Sequence, residues 1–186
     1  MRFLRRLVGT LRVLAGARRN RLDLPRWLVR RPSLLAATGV GEVALLTQNR
    51  VDFRLKLLAE LKAAALVSCE YCLDIGAALA KAEGLTPQHV TDLPRFEDSD
   101  VYTELEVLVL RLATRMSETP AIVPEDLRDA LVARLGKAGY AELAFTIAWE
   151  HKRGRLNQAL GVRPSGFGDG LTCPVPEGIA AAPARV

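Results

Sequence analysis

Histidine is almost missing from this chain, with only His89 and His151 in 186 residues, beside three cysteines, Cys69, Cys72 and Cys173. A zinc centre asks for four nitrogen or sulfur ligands. Beyond Cys69 and Cys72 only Cys173, His89 and His151 remain, none at the spacing of a second knuckle, so neither a metal nor a cofactor is expected. No run approaches about 18 to 20 uninterrupted apolar residues, which excludes a spanning helix. Aromatic residues make up 5% of the chain and form no interleaved stripe. The net charge of +5 therefore carries no signature of nucleic-acid binding. No segment alternates strongly enough for a strand, and no internal repeat is present. An odd number of cysteines and the lack of a convincing signal sequence predict a reducing, cytoplasmic compartment.

What the chain does have is Ser68-Cys69-Glu70-Tyr71-Cys72, set between two runs that both read as helix, about Asp52 to Val67 and Glu70 to Glu83. The cysteine pair thus opens a helix at a helix-to-helix joint. Backbone N–H groups in a first helical turn lack intrahelical partners and carry the positive end of the helix dipole, which favours thiolate over thiol. Geometry nominates Cys69 and Cys72 as redox cysteines. Two alternatives stand beside this: small apolar core residues, since free cysteine is among the most buried side chains, and half of a zinc site.

The run Leu55-Lys56-Leu57-Leu58-Ala59-Glu60-Leu61-Lys62, then Cys69-Glu70-Tyr71-Cys72-Leu73-Asp74-Ile75-Gly76 and Gly84-Leu85-Thr86, resembles the carboxymuconolactone decarboxylase-like family, and within it the alkylhydroperoxidase D-type branch. A second block, Trp149-Glu150-His151-Lys152-Arg153 through Asn157-Gln158-Ala159-Leu160-Gly161, resembles the last core helix of the same family. The resemblance spans roughly residues 33–167. It implies a thiol-dependent hydroperoxide reductase in which Cys72 attacks the peroxide and Cys69 donates a proton and resolves the sulfenic acid to a disulfide, later reduced by a dithiol. A dipole argument alone prefers Cys69 as the lower-pKa thiol. The resemblance also implies a homo-oligomer, a trimer or hexamer. Two positions depart from the branch: its relay histidine falls at Gly76 and its relay glutamate at Leu57.

With 49% hydrophobic residues the chain has material for one substantial core and no stretch that asks for a second domain. The expected organisation is a basic arm over 1–31, a helical domain over 32–167 and an irregular Gly/Pro-rich tail over 168–186. The arm carries ten arginines against Asp23 alone, a net of about +9, which leaves about −4 for the rest. Phe3, Leu4, Leu7, Val8, Leu11, Leu14 and Ala15 recur at helical spacing between arginines. Three readings compete for this basic amphipathic helix: a signal peptide, a helix packed on the core or on a partner subunit, and a helix on an anionic membrane surface at the inner face.

The fold class is all-α, a single-domain bundle of about seven or eight helices. Pro25-Arg26-Trp27 and Arg31-Pro32 read as linker or a short turn. Ser33 is placed as cap of a helix to about Gln48, and Asp52 caps the next, with Lys56 and Glu60 paired at i,i+4. Gly84 ends the cysteine helix and Thr86-Pro87 starts a short one, with His89 near the end of a short surface helix. After an acidic connection over 93–100, Ser99 or Asp100 caps a helix through about Ser117. Two helices then follow, about 124–135 and 138–160.

Around the cysteines, Glu60, Tyr71 and His151 are the candidate accessory groups. Glu60 lies three residues beyond Leu57 and is rotated about 60° around the helix. Tyr71 suits a pocket wall or a hydrogen-bond donor, and His151 either packs in the core or replaces the missing histidine from another helix. Cys173 lies in the Pro-flanked tail and is not expected to take part. The two functional classes are a thiol peroxidase and a non-peroxidase member of the family. The second is a partner-binding scaffold, with lactone decarboxylase as a further option that the cysteine pair argues against.

Overall fold

In the computed structural model the described residues are 2–167, and all regular structure among them is helical. The elements are α1 (Arg2–Ala15), α2 (Asp23–Leu28), α3 (Pro32–Thr47), α4 (Phe53–Leu66), α5 (Glu70–Ala82), α6 (Pro87–Thr91), a 3-10 turn (Leu93–Asp98), α7 (Glu104–Ser117) and α8 (Glu125–Ala159). The tail over 168–186, with Cys173, lies outside the described residues.

Helix α4 is the axle of the molecule, packed against α5, α7 and α8. Leu55, Leu57, Leu58, Ala59, Leu61, Ala63, Ala64 and Ala65 are all buried, so the helix has apolar residues on every side, as a helix enclosed by others must. One flank meets α5, α6 and the 3-10 turn through Leu73, Val90, Leu93 and Phe96. The other meets α7 and α8 through Val109, Leu112, Leu131, Leu143 and Ile147.

The expected Lys56–Glu60 pair does not form. Lys56 is buried, and its ammonium donates to Glu142 of α8 at 2.7 Å and to the Gln48 carbonyl at 3.0 Å. A buried ammonium needs such partners, and Glu60, one turn away, is paired with Arg153 instead. Lys62 is buried as well, donating to the Leu93 carbonyl at 2.9 Å and lying 4.7 Å from the Phe96 ring centre.

Helix starts follow side-chain chemistry, with corrections. Asp52 accepts from the Arg54 N–H at 2.9 Å and caps α4 as expected. Residue 33 does not cap α3; Pro32 occupies its first turn, where a missing N–H costs nothing, so Ser33 falls inside. Helix α7 starts at Thr103, not at Ser99 or Asp100, because Thr103 and Glu106 exchange reciprocal bonds in a capping box. The stretch read as linker holds the six-residue α2, whose Pro25 falls within the first turn. His89 is buried, not at the surface: it completes the cap of Thr86 and meets Arg54 at 2.6 Å. Gly136, at φ +71°, divides α8 into 125–135 and 137–159, matching the two helices expected there.

Helix α1 packs against α5 and α3. The following turn is tied down by the far end of the chain. Arg18 and Arg19 N–H groups donate to the Ser165 carbonyl, the Asn20 amide donates to the Pro164 carbonyl, and Arg163 pairs with Asp23 at 2.9 Å. The Asp74 carboxylate on α5 accepts from the Ser165 and Gly166 N–H groups at 2.8 and 2.7 Å. Residues 18–23 and 163–166 therefore cross α5 together.

Candidate redox site

The joint between α4 and α5 is a single compact turn. Ser68 adopts the left-handed conformation at φ +54°. The Cys69 N–H then reaches the Ala64 carbonyl and the Ser68 N–H the Ala65 carbonyl, both at 3.0 Å. This is the Schellman pattern that closes a helix C-terminus. Its last residue is at once the first of the next helix. Cys69 is the N-cap of α5, and its Sγ accepts from the Cys72 N–H at 3.3 Å. One turn along, Cys72 meets it, and the two are joined as a disulfide with Cα atoms 5.3 Å apart, inside the usual range. Both cysteines are buried.

Helix α8 forms the opposite wall. Gly154 sits so close that a Cβ there would stand 2.7 Å from Val67 Cγ2 and 3.4 Å from Cys69 Cβ. Asn157 Nδ2 lies 3.6 Å from Cys72 Sγ, and the Gln158 amide donates to the carbonyls of Val67 and Ser68 at 2.5 and 3.2 Å. The C-terminal half of α8 thus clamps the turn that presents the sulfurs.

On the same stripe of α8, one turn before Gly154, is Glu150. Arg153 beside it gathers three carboxylates, donating to Glu60 of α4 at 2.7 Å, to Glu150 at 2.9 Å and to Glu42 of α3 through two bonds. The Trp149 indole N–H also donates to Glu42 at 2.9 Å. The carboxylates do not share the cation equally. Burial works against the Glu42 charge, but the hydrogen bonds and charge of Arg153, with Trp149, outweigh it and hold that carboxyl below its usual range. Glu150 is 4% exposed. Burial pushes its carboxyl up to about 8, against the pull of Arg153 and with the repulsion of Glu60 and Glu42. Its Oε1 is buried with no hydrogen-bond partner among the described residues. Burial thus favours the protonated form of Glu150 over the carboxylate.

The sequence-predicted residues divide cleanly. Cys69, Cys72, Tyr71 and Glu60 fall in or beside this region. Tyr71 packs edge-on against Phe167, ring centres 6.2 Å apart. Burial first, then the charges of Asp74 and Glu42, raise its phenol above the ordinary value, so it is a neutral wall and not a base. His151 points to α7 instead. The Ser117 hydroxyl spends its proton on the Ala113 carbonyl at 2.7 Å, so the His151 Nε2–H donates to Ser117 at 2.8 Å. Burial lowers the His151 pKa. At Gly76, a Cβ would stand 2.7 Å from Leu61 Cδ2, and Leu57 is 1% exposed, so apolar packing occupies the ground of the family relay. The sequence reading missed Glu42, Glu150, Arg153 and Asn157. The signal was present: Glu150, Arg153, Gly154 and Asn157 recur at helical spacing in the block from Trp149 to Gly161.

Residues 33–115 match the Carboxymuconolactone decarboxylase family. An uncharacterized protein of Escherichia coli (strain K12), YnjA, is 25% identical over 130 residues, covering 70% of this chain and 69% of its own length. Among solved structures, the debrominase Bmp8 in its apo form superposes with a TM-score of 0.74 at 19% identity, over 91% of this chain and 89% of that one. A cysteine-to-alanine variant of Bmp8 in complex with 2,3,4-tribromopyrrole gives a TM-score of 0.70 at 20% identity, over 77% of each chain. At these identities the likeness is one of fold.

Proposed function

We propose, from the match of residues 33–115 to the Carboxymuconolactone decarboxylase family, that the chain is a dithiol-dependent reductase whose electrons come from Cys69 and Cys72 and whose substrate is a hydroperoxide. The observation that carries the reading is the pairing of the two sulfurs in a capped first helical turn, under a helix that presents an amide to one of them. The Cys72 thiolate attacks the distal peroxide oxygen, the O–O bond breaks, and the alcohol leaves with a proton. Cys69 then attacks the Cys72 sulfenic acid, the S–O bond breaks, water departs and the disulfide closes. An external dithiol returns the pair to thiols by exchange. Cys72 is assigned the attack because the Asn157 amide faces its sulfur. Cys69, whose sulfur accepts the Cys72 N–H at the helix start, is placed to lose its thiol proton and attack in the second step.

A second reading shares the sulfur chemistry. Bmp8 is a debrominase, and its fold covers nine-tenths of this chain. A dithiol can supply the two electrons that replace an aryl bromide by hydrogen, releasing bromide and a proton as the disulfide forms. Both substrates belong in one experiment: steady-state consumption of cumene hydroperoxide and of 2,3,4-tribromopyrrole with a dithiol donor, for wild type, Cys69→Ser and Cys72→Ser. Hydroperoxide turnover lost in both variants supports the first reading, and bromide release alone supports the second. Turnover of neither by wild type contradicts both and favours a partner-binding scaffold. Homo-oligomer formation is part of the proposal, supported by the exposed apolar residues Leu34, Leu35, Val40 and Val43 on α3.

A further inference from the structure

We propose that Glu150 is the proton donor of this site, supplied from α8 in place of the histidine and glutamate that Gly76 and Leu57 displace; the inference rests on the dithiol reading above. The argument begins with geometry. Glu150 is buried on the stripe of α8 that continues through Gly154, against Cys69, to Asn157, against Cys72. One carboxyl oxygen is bonded to Arg153 and the other has no partner among the described residues. An unpaired buried carboxyl oxygen costs free energy, and a catalytic role is one reason for a fold to keep one. The charged groups that face Glu150 are Glu42 from α3, Glu60 from α4 and Arg153 from its own helix. Three carboxyl groups crowd one guanidinium, and Glu150 is the most deeply buried of them. Burial favours its protonated form.

The proton balance closes through this residue. When the Cys72 thiolate takes the distal oxygen of ROOH, the electron pair of the broken O–O bond leaves on RO⁻. RO⁻ receives the Glu150 proton and departs as ROH. The Glu150 carboxylate takes the proton of the Cys69 thiol, whose sulfur then attacks the Cys72 sulfenic acid. The hydroxide released is protonated by Glu150 and leaves as water. A solvent proton, equal to the one first lost by the Cys72 thiol, restores the acid. The sum is two thiols and ROOH converted to a disulfide, ROH and water.

The test uses the full chain. The rate of disulfide formation with cumene hydroperoxide is measured against pH for wild type, Glu150→Gln and Glu150→Asp. Wild type should show a bell, rising with thiolate and falling as Glu150 ionises near 8. Glu150→Gln, which keeps size but carries no proton to give, should lose the falling limb and at least about tenfold in rate at neutral pH. Glu150→Asp should recover part of both. A carbon-13 titration of the glutamate carboxyls supplies a readout independent of turnover. One carboxyl should titrate near 8, vanish in Glu150→Gln, and move higher when a dithiol converts the disulfide to thiols. Wild-type rates and an unchanged bell in Glu150→Gln, or no carboxyl titrating in that range, would overturn the role of Glu150. A wild type that forms no disulfide with hydroperoxide contradicts the peroxidase reading itself.

Discussion

Glu150 and Gly76 show at the scale of single residues how this site differs from the pattern that its sequence resembles. The Glu150 carboxyl is raised in the folded chain, so the native state keeps a proton that the unfolded state has already released. Native stability should therefore fall as pH rises from the ordinary carboxylate range to about 8 and level off above it. Denaturant unfolding across that window should show the fall in wild type and a flatter curve in Glu150→Gln; parallel curves would contradict the raised value. At position 76, a histidine cannot simply be put back. Its Cβ alone would meet Leu61 Cδ2 at 2.7 Å inside the core, so Gly76→His should cost about 1–3 kcal/mol of stability. Added to Leu57→Glu, which buries a carboxyl where a leucine is 1% exposed, it should unfold the protein sooner than it accelerates turnover. Thermal melts of the single and double variants decide the matter.

Among the elements, the turn at Ser68 and the clamp from α8 matter most. Ser68 sits in the left-handed region and its buried hydroxyl has no partner among the described residues. Ser68→Gly should thus stabilise the fold by about 1 kcal/mol, read from the shift of the unfolding midpoint. Gly154→Ala should do the reverse by about 1–3 kcal/mol, pushing α8 off the turn and speeding alkylation of the reduced cysteines. Much of this level was legible beforehand: the C-x-x-C at a helix joint, Asp52 and Thr86 as caps, Gly84 as a helix stop and the break near Gly136 all follow from local chemistry. The start of α7 was misplaced because three polar residues compete for it, and only the reciprocal bonds of Thr103 and Glu106 choose. Lys56 and Glu60 were misread because i,i+4 spacing assumes a solvated face. Both sit instead on a helix enclosed by its neighbours, where partners come from α8. The Arg153 cluster joins α3, α4 and α8, and no local pattern reveals which distant carboxylates meet.

The charge division of the whole molecule gives a further expectation: an anionic surface is met by residues 1–31. No helix among the described residues is long and apolar enough to cross a membrane. Deleting the arm is a poor test, because α1 packs on α5 and Asp23 holds Arg163. Replacing the exposed Arg12, Arg18, Arg21 and Arg31 by glutamine should abolish salt-sensitive binding to phosphatidylserine vesicles with helical content unchanged, and equal binding would refute the idea. The central claim concerns the two sulfurs. The most direct measurement is intact mass after adding one equivalent of cumene hydroperoxide to the fully reduced chain and then alkylating it under denaturing conditions. The account predicts that Cys69 and Cys72 escape alkylation as an internal disulfide while Cys173 is alkylated, and that a dithiol restores all three. Three alkylated cysteines after peroxide, in a protein that remains folded, would contradict it.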